Sequence, residues 1–222
     1  PAKQWAQSVE QVDDLYEQAR QSRLGTQRFR VDGRQMGTGA GNALLLGGET
    51  AEDSPFLRRP DLLRSLIGYW HDHPALTYLF SGMAWPIPRV DETRGDALYE
   101  LEIALSQLPE PGAPCPPGLI YRLLRPLLVD VAGDPDRAQF CIVELQGDGP
   151  GEHQGLLRLQ GFEMPPHARM NLALQLLLRC LVARFWRTPY APARLTRWGT
   201  QLHDRFMLPY FIERDFAEVI DD

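Results

Sequence analysis

An α+β fold, with a small, mainly antiparallel sheet covered by many helices, is the class that this 222-residue chain predicts. Three observations lead there. Apolar residues recur at helical spacing over most of the chain, whereas strand-like runs are few and short. Two of those runs, 137–145 and 155–163, flank a glycine-rich turn at 147–151 and predict an antiparallel hairpin. The second run stops at Pro165-Pro166, which cannot donate ladder hydrogen bonds, and an almost unbroken apolar segment follows. There Met170, Leu174, Leu177 and Leu181 keep helical spacing while Leu172, Leu176 and Leu178 fill the opposite side, so a buried central helix is expected.

From the start of the chain, Trp5, Val9, Val12, Tyr16 and Ala19 predict a helix, with Gly25 as its stop. A short strand over 27–31 turns at Asp32-Gly33. The run Gly37-Thr38-Gly39-Ala40-Gly41-Asn42 then leads into a buried strand over 43–46. Pro60-Asp61 opens a helix in the favoured way, with Leu62, Leu63, Leu66, Ile67 and Trp70 as its buried face. His71-Asp72-His73-Pro74 closes it, a further turn or two follows over 75–80, and 83–88 is a proline-bounded loop. Residues 96–108 fit both periods, and their alanine, leucine, glutamate and glutamine decide for helix. Five prolines make 109–117 an extended loop. A helix over 119–131 should kink near Pro126. Beyond the central helix come a loop over 189–192, a short helix over 202–208 and a last helix carrying Phe211, Asp215, Phe216, Val219 and Ile220.

Composition bounds the function. Hydrophobic residues at 44% and charged residues at 23% describe an ordinary globular protein. A net charge of −6 argues against a general nucleic-acid binder, although Arg58-Arg59 and Arg179, Arg184 and Arg187 leave room for local anion sites. Three distant cysteines, Cys115, Cys141 and Cys180, make neither a metal motif nor a disulfide framework and fit a reducing cytoplasm. Gln175, Arg179 and Arg184 interrupt the apolar segment, so no membrane span is expected. No stretch reads as an interdomain linker, so residues 1–222 are expected to form one domain. The abrupt start at Pro1 suggests that the domain is a fragment of a longer protein.

Four constellations could carry chemistry. The glycines of 37–42 free the backbone to cradle phosphate oxygens, with Gly39, Gly41 and Asn42 as the contacts; a plain structural bend is the commoner use of such a run. Glu100 and Glu102 would share a face in a strand but diverge in the expected helix, where solvated or salt-bridged surface is their role. Glu163 and Arg169 flank the Pro-Pro corner and suit either a structural ion pair or a clamp on a substrate carboxylate. His71 and His73 look like half a metal site, but no second cluster accompanies them and polar surface is the plainer reading.

The stretch Phe162-Glu-Met-Pro-Pro-His-Ala-Arg-Met170 resembles the signature of a bacterial domain of unknown function found in transglutaminase-like proteins, a family assigned to amidoligases with a glutamine-synthetase-like fold. Residues 54–70, Pro88-Arg-Val-Asp-Glu92, Leu98-Tyr-Glu-Leu-Glu-Ile-Ala104 and Trp198-Gly-Thr-Gln-Leu-His-Asp-Arg-Phe-Met-Leu-Pro209 extend the resemblance along the chain. It implies an ATP- and Mg2+-dependent carboxylate–amine ligase acting on a peptide or amino-acid substrate, partnered by a transglutaminase-like domain of the same or a neighbouring chain. Such ligases hold Mg-ATP on an antiparallel sheet, because the γ-phosphate charge must be neutralised before an amine attacks. The resemblance also implies histidine where Gln35, Ala43 and Asp136 stand, glutamate at Gln139, and Glu-Leu-Arg at Arg158-Leu159-Gln160. A strand face of Arg137, Gln139, Arg158 and Gln160 attracts anions but holds a divalent metal poorly. The expectation is therefore an amidoligase domain with a degenerate metal and nucleotide site. Glu163, Arg169 and Arg137 are its candidate catalytic residues, and Arg158 is an anion site. A non-catalytic peptide- or partner-binding module of the same fold is the alternative.

Overall fold

A computed structural model describes residues 4–37, 41–81, 89–93, 96–116, 118–146 and 154–222. In chain order these form α1 (Trp5–Gln21), β1 (Gln27–Phe29), β2 (Gln35–Gly37), β3 (Gly41–Leu46), α2 (Pro55–Arg58), α3 (Asp61–Asp72), α4 (Ala75–Tyr78), α5 (Val90–Thr93) and α6 (Ala97–Ser106). Then follow α7 (Leu119–Leu124), a 3-10 turn (Pro135–Arg137), β4 (Phe140–Cys141), α8 (Val143–Gln146), β5 (Leu157–Glu163), α9 (Ala168–Arg187), α10 (Gln201–Phe206) and α11 (Pro209–Asp221). The class is α+β, as the sequence predicts.

The sheets are small and antiparallel. β1 and β2 form a separate two-stranded ribbon, and a three-stranded sheet runs in the order β3-β5-β4. The expected hairpin of 137–145 with 155–163 shrinks to two pairs, Phe140 with Leu159 and Cys141 with Arg158. The main partner of β5 is instead β3, in a register that sets Leu45 opposite Arg158 and Leu46 opposite Leu157. Local chemistry breaks the expected strand. The Asp134 carboxylate accepts from the Asp136 N–H and winds 135–137 into a 3-10 turn, and 143–146 closes as helix. β3 is also not a fully buried strand, since Leu44 is its one buried residue and Leu45 faces outward. The turn expected at 147–151, the loop at 83–88 and Pro117 lie outside the described residues.

Helix ends depart from expectation for visible reasons. α1 stops before Gly25, with Arg23 left-handed at φ 56° and the Leu24 N–H bonded to Ala19 O, a Schellman-type ending without glycine. α7 ends at Leu124, two residues ahead of Pro126, where a longer helix was expected. The loop after α6 is not fully extended, because Ala113 N bonds back to Glu110 O around a left-handed Gly112. α6 and α11 form close to where their periodicity puts them.

The central helix is α3 rather than α9. From Asp61 to His71 every α3 residue except Arg64 is buried, and α3 packs against α2, α6 and α9. α9 buries only a stripe, Asn171, Leu174, Leu178, Leu181 and Phe185, and leaves Leu176 and Trp186 exposed. Leu177 is merely partly buried. Arg169 and Arg187 stand exposed on its outer side, so its apolar richness exceeds what it buries. The Pro-Pro corner before α9 is fixed from outside by the Tyr16 hydroxyl, which donates to Pro165 O at 2.9 Å. His167 Nδ1 then caps α9 by accepting from the Met170 N–H.

Candidate functional site

β5 carries the richest cluster of charge on a sheet. Leu159 and its neighbours Leu44 and Phe140 point into the core, so Arg158, Leu45 and Cys141 form the row on the opposite face. Around that row the 134–146 segment brings two acids. Arg158 Nη2 donates to Asp136 Oδ1 at 2.7 Å and to Cys141 Sγ at 3.1 Å, and Arg158 Nε lies 3.8 Å from Glu144 Oε1. Gln160 Nε2, one residue pair along the strand, donates to Asp136 O and Ala138 O. Burial works against the Arg158 charge, but its contacts with Cys141, Glu144 and Asp136 outweigh it and hold its pKa above the ordinary arginine value. Burial pushes the Cys141 thiol up, against the opposing Val143 N–H and Arg158, so it stands as a thiol and not a nucleophilic thiolate.

Both acids of this face are turned to Arg158. Magnesium takes near-octahedral oxygen at about 2.0–2.1 Å. Here the carboxylates of Asp136 and Glu144 both converge on a guanidinium that a cation would have to displace. The predicted anion face is partly satisfied from within: Arg158 Nη2 is bonded to Asp136 while its buried Nε makes no hydrogen bond, and Arg137 lies 3.6 Å from Asp130. Gln139 does not belong to the face at all. It turns inward, is buried, and donates to Thr77 Oγ1 at 3.1 Å, which ties β4 to α4.

The remaining candidates are scattered. Gly39 lies outside the described residues. Gly41 pairs with Glu163, and Asn42 with Phe162, while Asn42 Nδ2 reaches Asn171 Oδ1 at 3.5 Å. Glu163 accepts from the Gly37 N–H at 2.9 Å, and a Cβ on Gly37 would clash with its carboxyl, so Glu163 packs directly against the end of β2. Arg169 is exposed on the first turn of α9 and makes no ion pair with Glu163 among the described residues. Of the residues the sequence nominates, the fold brings Glu163, Gly41 and Asn42 to one end of the sheet. It leaves Arg169 apart, and Arg137 is held by its own acid.

Glu102 shows what the 97–106 helix does with its acids. Its carboxylate takes both ends of the Arg197 guanidinium, at 2.6 and 2.9 Å, and the Leu195 N–H at 2.6 Å. Tyr99, Arg194, Leu195 and Arg197 complete an open cleft of about 340 Å3 there. The Arg197 bonds, against the cost of burial and with help from the Leu195 N–H, hold Glu102 below the usual carboxylate range. A depressed carboxylate stabilises the fold fully above its unfolded pKa, about 4.3, and loses that contribution as pH falls through the folded value. Glu102→Gln is therefore expected to cost about 1.5 kcal/mol at pH 7, the lower end for charge-assisted bonds. The gap between variant and parent should shrink steadily as urea unfolding is repeated below about pH 4.

His71 and His73 part company. His71 is buried; its Nε2 donates to Thr196 O at 2.9 Å and its Nδ1 faces Arg89 Nη2 at 3.2 Å. His73 meets a partner that the sequence reading missed, Asp215 of α11, at 2.8 Å. The one available signal was the three-residue spacing of Asp215 and Glu218 on a helical pattern. Across the described residues, no helix is long and apolar enough to cross a membrane.

A family model described as "putative amidoligase enzyme (DUF2126)" matches residues 1–222. No curated protein and no solved structure matches the chain.

Proposed function

The chain belongs to this amidoligase family over residues 1–222, and from that premise we propose that it is a ligase-derived domain that no longer turns over Mg-ATP. The ancestral chemistry is ATP-dependent joining of a carboxylate to an amine on a peptide or amino acid. The surviving role is that of a binding or scaffolding module beside a transglutaminase-like domain of the same or a neighbouring chain. One observation carries this reading: Arg158 occupies the outer row of the central strand and is clamped by Asp136 and Glu144. A ligase needs a metal cation against that surface, and here the two acids that could ligate one are engaged by a guanidinium that the ion would have to displace.

The proposal is tested by following ADP and phosphate release from Mg-ATP in the presence of mixed amino acids and peptides. The expected rate equals the protein-free blank and does not change in Glu163→Ala or Asn42→Ala. ADP release by the parent that disappears in either variant, with both variants folded by circular dichroism, would show a working ligase site.

A further inference from the structure

The fold closes a metal-ligand set that the sequence leaves half-built. His73 caps the C-terminus of α3, and α11 places Asp215 and Glu218 on one face, a single turn apart. One ligand atom from each of the three residues lies within 4.8 Å of the others. We infer that His73, Asp215 and Glu218 form a binding site for one divalent transition-metal ion of the Zn2+ class, which fastens α11 onto the α3–α4 junction.

Two of the three ligands are held in place before any ion arrives. Asp215 Oδ2 accepts the Ala75 N–H at 2.8 Å, which leaves Oδ1 turned to His73 Nδ1 at 2.8 Å. The His73 ring lies against Tyr69, with centroids 4.2 Å apart. Both side chains are mostly enclosed, at 16% and 12% exposure, so their orientation is fixed by packing. A carboxylate with one oxygen held by a backbone N–H and the other turned to the site is the usual way an outer shell aims a ligand. Glu218 is exposed, and its contact with Arg214 at 3.7 Å is a surface pair of little strength, so it can swing inward. The other nearby cation, Arg184, is engaged by Asp222 at 3.1 Å.

The geometry requires only small movements. Zinc sits about 2.0–2.2 Å from nitrogen and oxygen ligands, so neighbouring donors in a tetrahedral site stand about 3.4 Å apart. The present His73–Asp215 contact must open by roughly half an ångström while Glu218 closes in. With the ion in place the neutral ring carries its N–H on Nε2 and presents the Nδ1 lone pair to the metal. One imidazole and two carboxylates select a first-row divalent ion over a thiophilic one, and three protein ligands leave the fourth position to water.

Zn2+ alone is the probe, titrated into the 222-residue chain by calorimetry. The expected result is one ion per chain with a dissociation constant of about 10 µM or tighter. Co2+ in its place should show ligand-field absorption without thiolate charge-transfer bands, which separates this site from the free cysteines. Glu218→Gln, at an exposed position, should leave the metal-free melting temperature unchanged and weaken Zn2+ by at least about tenfold, the scale on which even outer-shell partners act. Asp215→Asn should abolish binding. No saturable uptake, uptake unchanged in both variants, or a thiolate band with Co2+ would each overturn the assignment.

Discussion

Trp70→Ala is expected to destabilise the protein by about 3–5 kcal/mol, the range for removing a large aromatic from a packed core. The indole is 1% exposed and meets Phe140 and Phe162 edge-on, each at 5.9 Å between ring centroids. Its Nε1–H donates to Thr77 Oγ1 at 3.1 Å, the same oxygen that accepts from Gln139. One side chain thus joins α3, α4, β4 and β5, and alanine would leave a cavity where all four meet. For a domain stable by about 5–15 kcal/mol, that is a large fraction of the whole. Urea unfolding followed by far-ultraviolet circular dichroism measures it. A loss under about 1 kcal/mol would mean that α3 is not the centre of the fold.

Breaking the Arg59–Asp61 pair comes next, at about 3 kcal/mol for Asp61→Ala. Both bonds of the fork are 2.8 Å, the Asp61 side chain is fully buried, and Arg59 is 16% exposed beneath Trp186. Removing the acid leaves a guanidinium with little water and no counter-charge, which is why the cost exceeds that of a surface pair. The partial exposure of Arg59 sets the figure at the lower end. Because the penalty comes from the stranded charge, Arg59→Met with Asp61→Leu should recover most of it. A double variant as unstable as Asp61→Ala would show that the pair stabilises through something other than mutual compensation.

Periodicity made α3 legible because its apolar residues match what it buries, and it placed α6 and α11 as helices although Tyr99, Ile103 and Ile220 stay exposed. It misread α9, where leucine is plentiful on a side that five buried positions do not need. It also misread 137–145, where an aspartate-proline turn and a four-residue helix override residues with a strand's composition. The candidate site was legible in chemistry rather than in place. Arg158 and Gln160 do share a strand face, but Gln139 turns inward to Thr77, and of the acids against Arg158 one, Asp136, precedes the expected strand and the other, Glu144, lies in the part of it that is helix. Contacts such as His73 with Asp215 join positions 142 residues apart, and no local pattern encodes them.

On the proposed reading, the outer face of β5 holds a guanidinium clamp where a ligase would hold Mg-ATP. Calorimetric titration of the folded chain with Mg-ATP tests it most directly. The prediction is no saturable heat, meaning a dissociation constant weaker than about 1 mM. Arg158→Glu with Gln160→Arg should then create measurable affinity. Binding of Mg-ATP by the parent chain at about 10 µM or tighter would contradict the account.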